Sequence, residues 1–183
     1  PAIFRYVEAT GDVERHDMPA LAGALALRQG GTLLVALKGG LWDFEPDTGK
    51  FAKLCDLEES LPEHRPNEGR CDPAGRFWLG TMVDLAPYAG GSLYRYDGSG
   101  KPAQMLYPLT VPNSLRWSPD GGTMYFADTR TGEILAFDYD VDTGTFSRRR
   151  VFVASDALPG VPDGSAVDSE GGLWNVRYGA GLV

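Results

Sequence analysis

Asn67, Asn113 and Asp163 each stand eight residues before a glycine: Gly75, Gly121 and Gly171. Each opens a similar run, NEGRCDPAGRFWLGTM, NSLRWSPDGGTMYFADT and DGSAVDSEGGLWNVRY. In a ring of repeated sheets, equivalent positions face the same axis, so three oxygen-bearing side chains in register converge on one point. Amide and carboxylate oxygens suit hard cations such as Ca2+, Mg2+ or Mn2+, with Zn2+ less favoured where His and Cys are lacking. Any one of the three taken alone reads as a turn cap at a strand entrance. All three in register read as a metal site.

Other residues near these runs carry blander readings. Arg65, two residues before Asn67, has the forked geometry to hold oxygens of a small polar ligand, or it pairs at the surface with Glu63 or Glu68. His64 has no Ser or Cys partner motif and reads as a loop histidine, and His16 reads as structural. No G-x-S-x-G elbow and no zinc-spaced His/Cys cluster occurs. Glycine pairs such as Gly90-Gly91 lack a following helix and do not read as phosphate loops. Trp78 and Trp174 recur three residues after their turn glycines, so packing between sheets is expected of both. Asp72, Asp120 and Asp168 precede turns and are expected to order them.

The elements that must position these residues are short strands. Inner hairpins cover 24–37, 69–82, 114–129 and 164–178, turning at Gly31, Gly75, Gly121 and Gly171. Outer hairpins alternate with them at 2–13, 40–51, 92–102 and 133–146. The pattern recurs about every 45 to 49 residues, the length of a four-stranded propeller blade. No window keeps a 3.6-residue period, and a sandwich would not explain the recurrence. The expectation is an all-β partial β-propeller over residues 1–183 as one domain, with three whole blades and a half-blade at each end. The two halves either pair to close a small ring or leave an open arc with free edges.

Bulk properties narrow the partners. A net charge of −8, with no basic cluster beyond Arg148-Arg149-Arg150, argues against nucleic acid. That triplet is expected on a solvated edge. No run approaches the ~20 apolar residues of a membrane span. Cys55 and Cys71 are expected as free thiols. With no visible signal peptide, the expectation is a cytoplasmic protein, although the chain begins at Pro1 without an initiator Met.

Three segments, RPNEGRCDPAGRFWLGTM (65–82), VPNSLRWSPDGGTMYFADT (111–129) and PDGSAVDSEGGLWNV (162–176), resemble the SMP-30/gluconolactonase/luciferin-regenerating enzyme family, the regucalcin-like sugar lactonases. The resemblance implies a six-bladed propeller with one axial divalent cation, Ca2+ first, and hydrolysis of a sugar lactone to its aldonic acid. By position, Asn113 and Asp163 match the family's metal ligands, and Asn67 and Arg65 its substrate-binding residues. Asp163 is then the expected general base, taking a proton from water. The family's remaining ligand, a glutamate in a Glu-Gly-Pro motif, has no counterpart here. The last blade and a half are also absent, so the chain is expected to lack N-terminal and C-terminal parts. The competing expectation is a non-catalytic calcium-binding scaffold or an inactive truncated homologue.

Overall fold

The structure, a computed structural model, describes all residues 1–183. Sixteen strands are joined by turns. They are β1 (Ala2–Val7), β2 (Asp12–Asp17), β3 (Ala22–Leu27), β4 (Leu33–Leu37), β5 (Gly39–Glu45), β6 (Lys50–Leu57), β7 (His64–Cys71) and β8 (Phe77–Val83). There follow β9 (Gly91–Tyr96), β10 (Ala103–Leu109), β11 (Pro112–Trp117), β12 (Thr123–Asp128), β13 (Ile134–Asp140), β14 (Thr145–Val153), β15 (Val161–Val167) and β16 (Leu173–Tyr178). One 3-10 turn, Thr129–Thr131, follows β12. No helix is long and apolar enough to cross a membrane.

The strands form three four-stranded antiparallel sheets, β3–β6, β7–β10 and β11–β14, flanked by two-stranded sheets β1–β2 and β15–β16. Three blades with a half-blade at each end is the expected architecture. The two half-blades do not pair with each other, so the arc is open.

Local chemistry explains the hairpins. The turn glycines Gly31, Gly75, Gly121 and Gly171 all have positive φ, between 74° and 89°, a region that costs L side chains energy. Asp72 and Asp168 order their turns by accepting backbone N–H groups, from Ala74 and Arg76 and from Glu170 and Gly172 respectively. Asp120 orders its turn as expected, from two places further on: Ser118 holds the place of Asp72 and Asp168, and Asp120 accepts from Ser118 Oγ and Gly122 N.

The core lies between sheets. Trp78, Leu93, Leu115, Trp117, Met124, Phe126 and Phe137 fill the space between the second and third blades. Leu34, Ala36, Leu41, Phe77 and Leu79 fill that between the first and second. Each fully buried large side chain contributes about 1.5–3 kcal/mol relative to exposure. Trp78 packs as expected, but Trp174 does not: it is 57% exposed, because β15–β16 has no sheet on its outer side. Arg148 and Arg150 pair with Asp138, and Arg149 with Glu133, on the outer strand β14. Cys55 and Cys71 are both unbridged.

Candidate functional site

The four innermost strands β3, β7, β11 and β15 share a defect. In each, the ladder to its hairpin partner slips at the same place in the repeat. Asn67 falls in the step from Pro66–Thr81 to Glu68–Gly80. Asn113 is the last paired residue before pairing resumes at Arg116. Asp163 lies in the step from Pro162–Arg177 to Ser165–Asn175. Such bulges re-aim a side chain out of the ordinary alternation. In the first blade the same step, from Ala22–Leu37 to Ala24–Ala36, holds Gly23. Gly23 too is eight residues before its turn glycine, Gly31. A Cβ there would stand 2.2 Å from the Pro66 carbonyl oxygen, so this blade has no room for a donor side chain at that place.

Arg65, Asn67, Asn113 and Asp163 line one cavity of about 460 Å³, together with Met82, Val111, Thr129, Arg130, Val161 and Tyr178. The sequence reading missed the last six. Met82, Val111 and Thr129 had a signal, since they bound the quoted segments 65–82 and 111–129, whereas Arg130 and Tyr178 lie outside those segments.

The four expected residues differ in how their polar atoms are committed. Arg65 donates from Nε to Asp84 at 2.7 Å and from Nη1 to Asn67 Oδ1 at 3.1 Å. Its acidic partner is therefore Asp84, not Glu63 or Glu68, and its Nη2 makes no protein hydrogen bond. Asn67 donates from Nδ2 to the Pro112 carbonyl at 3.1 Å, tying the second blade to the third. Asn113 is buried and donates from Nδ2 to Thr129 Oγ1 at 2.7 Å, which leaves its Oδ1 without a protein donor. The Asp163 carboxylate likewise accepts no protein hydrogen bond.

The backbone of Asp163 is pinned. Its carbonyl accepts from Ser114 Oγ at 2.5 Å and from Asn175 Nδ2 at 3.3 Å. Ser114 is fully buried with φ of 56°, and Ser165 Oγ and Asn175 Nδ2 both donate to its Oγ at 3.0 Å. Holding a non-glycine residue in this left-handed region costs free energy, which the surrounding hydrogen bonds offset. Alongside, Glu68 and Arg116 form a 3.0 Å ion pair between β7 and β11. Burial pushes the Glu68 carboxyl above its usual value, and the Asp163 charge adds to this against the opposing pull of Arg116. Burial also lowers Arg116. His64 is the first residue of β7, not a loop residue, and its Nδ1 lies 3.1 Å from Glu58. His16 packs edge-on to Phe44.

The donor chemistry can be tested against a metal. No cluster of three or more His, Cys, Asp or Glu is present. Two uncommitted side-chain oxygens, Asn113 Oδ1 and the Asp163 carboxylate, line the same cavity. They fit a hard cation and supply part of the six to eight oxygens that calcium takes.

An open propeller arc with an axial, oxygen-lined cavity is the class that fold and site define. The family model for the SMP-30/gluconolactonase/LRE-like region matches residues 1–183, and the chain belongs to that family. It is 38% identical over 154 residues to an L-arabinolactonase of Azospirillum brasilense, covering 82% of this chain and 51% of that protein. Identity to Xenopus laevis regucalcin is 31%, covering 99% of this chain and 62% of the relative. The crystal structure of a calcium-binding protein, regucalcin, from Agrobacterium tumefaciens strain C58 superposes with a TM-score of 0.91 at 35% identity. That match covers 97% of this chain and 60% of the other. The chain thus spans less than two thirds of the length of these relatives.

Proposed function

We propose that this chain carries the axial site of a divalent-cation-dependent sugar lactonase. The observation that carries the reading is the convergence of Arg65, Asn67, Asn113 and Asp163 on one cavity, with Asn113 Oδ1 and the Asp163 carboxylate uncommitted. Kinship to an L-arabinolactonase supports the substrate class, and kinship to a calcium-binding regucalcin supports Ca2+ ahead of Mg2+, Mn2+ or Zn2+.

Asn113 Oδ1 and Asp163 would hold the cation, which when bound supplies polarisation of the lactone carbonyl and stabilisation of the oxyanion. The free Nη2 of Arg65 donates to a substrate oxygen, and Asn67 holds Arg65 in that pose through its 3.1 Å hydrogen bond. Water adds to the carbonyl carbon while Asp163 accepts its proton. The ring C–O bond then breaks as that proton passes to the departing ring oxygen, giving the open-chain aldonic acid. Ser114 and Asn175 fix the Asp163 backbone so that its carboxylate stays aimed into the cavity.

Acid release in a pH-stat, over five- and six-carbon sugar lactones with each metal and with chelator, tests the reading. The expected result is metal-dependent hydrolysis lost to chelator and reduced about 10²–10⁴-fold in Asp163→Asn, the worth of a general base. Full turnover in a folded Asp163→Asn chain would remove the base assignment. Chelator-sensitive stability with no turnover on any lactone would favour a non-catalytic cation-binding protein.

A further inference from the structure

Arg130 lines the same cavity as Asp163, and its charge is unmatched. Arg65 is neutralised by Asp84 at 2.7 Å, and Glu68 by Arg116 at 3.0 Å. Arg130 has no carboxylate within ion-pair distance. Its one protein hydrogen bond runs from Nη2 to the Ala86 carbonyl at 3.0 Å, leaving Nε and Nη1 without protein acceptors. It follows directly on Thr129, whose hydroxyl accepts from Asn113, and it is an exposed residue. Were the Asp163 charge taken up by a bound divalent cation, Arg130 would have no counter-charge among the residues lining the cavity.

We infer that Arg130 is a specificity residue that selects lactones bearing an additional anionic group, a carboxylate or a phosphate, on the sugar chain. A guanidinium meets either group through charge-assisted, two-pronged hydrogen bonds. This inference rests on the lactonase reading above and names its substrate class.

The test compares gluconolactone, its carboxylate-bearing counterpart glucarolactone, and 6-phosphogluconolactone as substrates of the metal-loaded full chain. Arg130→Gln and Arg130→Lys are run in parallel. One anionic lactone should exceed the neutral one in kcat/KM by about ten-fold or more, the worth of a charge-assisted hydrogen bond. The arm that wins distinguishes carboxylate from phosphate. In Arg130→Gln that ratio should collapse toward one, mainly through KM, while Arg130→Lys retains part of it. Equal use of all three lactones by the parent chain overturns the inference. So does a parallel fall for neutral and anionic substrates in Arg130→Gln, which would mean that Arg130 only pins the Ala86 loop. If no lactone is hydrolysed, the lactonase reading fails and calorimetry with open-chain glucarate and 6-phosphogluconate decides this one. Binding that weakens in Arg130→Gln sustains the anion site, and binding indifferent to the substitution, or none, overturns it.

Discussion

Trp78 and Trp174 occupy the same place in the repeat, and both indoles donate to the aspartate six residues earlier, Asp72 at 3.2 Å and Asp168 at 2.8 Å. Trp78 is wholly buried against Trp117, Tyr139 and Phe146, whereas Trp174 is 57% exposed. The hairpin chemistry is therefore autonomous, and it recurs whether or not a neighbour packs over it. The packing energy is not, because each repeat buries its apolar face only against the next. Asp163 sits on the thinly covered end sheet β15–β16, and there the Ser114–Ser165–Asn175 hydrogen bonds hold it where packing does not.

The largest expected effect that could break this comparison is on Trp78 itself. Trp78→Ala should cost about 3–5 kcal/mol in urea unfolding, as cavity-forming aromatic truncations do. Trp174→Ala should cost no more than about 1 kcal/mol. Similar losses at both sites would show that the end sheet is as firmly packed as the interior.

Next comes the aspartate beneath Trp78. Burial pushes the Asp72 carboxyl up, but hydrogen bonds from Tyr139, Arg76 and Trp78 outweigh it and hold the group below its usual value of 3.8. Its stabilisation is thus fully present above that unfolded value and is lost as pH falls through the lower native value. Asp72→Asn should destabilise by about 3 kcal/mol at neutral pH by leaving Arg76 without its partner, and should flatten the acid limb of a stability–pH curve. A mutant curve parallel to that of the parent chain down to pH 2 would refute the assignment.

A smaller contrast lies in two bulge glycines. Gly23→Ala forces a Cβ onto Pro66 and should cost about 1–3 kcal/mol, as overpacking does. Gly164→Ala meets nothing within 4 Å and should be neutral or stabilising by about 0.5 kcal/mol. Thermal melts of the pair read this directly, and a reversed order would mean that the first two blades are not in close contact at the axis. Smallest is Ser114→Ala, expected to cost about 1 kcal/mol while selectively speeding amide exchange in β15–β16. Uniform acceleration across all sheets would deny that the serine network serves the end sheet in particular.

Much of the fold was legible because its signals are local. Alternation, Asp-ordered turns and glycines that need positive φ can be read from neighbouring residues, and they placed all eight hairpins. The candidate site was legible only as register: Asn67, Asn113 and Asp163 share an offset from their turn glycines. That same offset points to Gly23, whose lack of a side chain makes it easy to overlook. In the third blade Ser118 holds the place of Asp72 and Asp168 while Asp120 caps the turn, so a turn with different chemistry shifts its capping residue by two places.

The sequence by itself determined strand order, blade phase and the oxygen-donor character of the axial positions, since these follow from side-chain type and spacing along one chain. Only the tertiary structure decided that Asp84 neutralises Arg65, that Arg130 and Tyr178 enter the cavity, that Trp78 is covered while Trp174 is not, and that the half-blades stay unpaired. Those outcomes depend on which sheet lies against which. Contacts between residues dozens of positions apart are set by packing geometry, which no local pattern encodes.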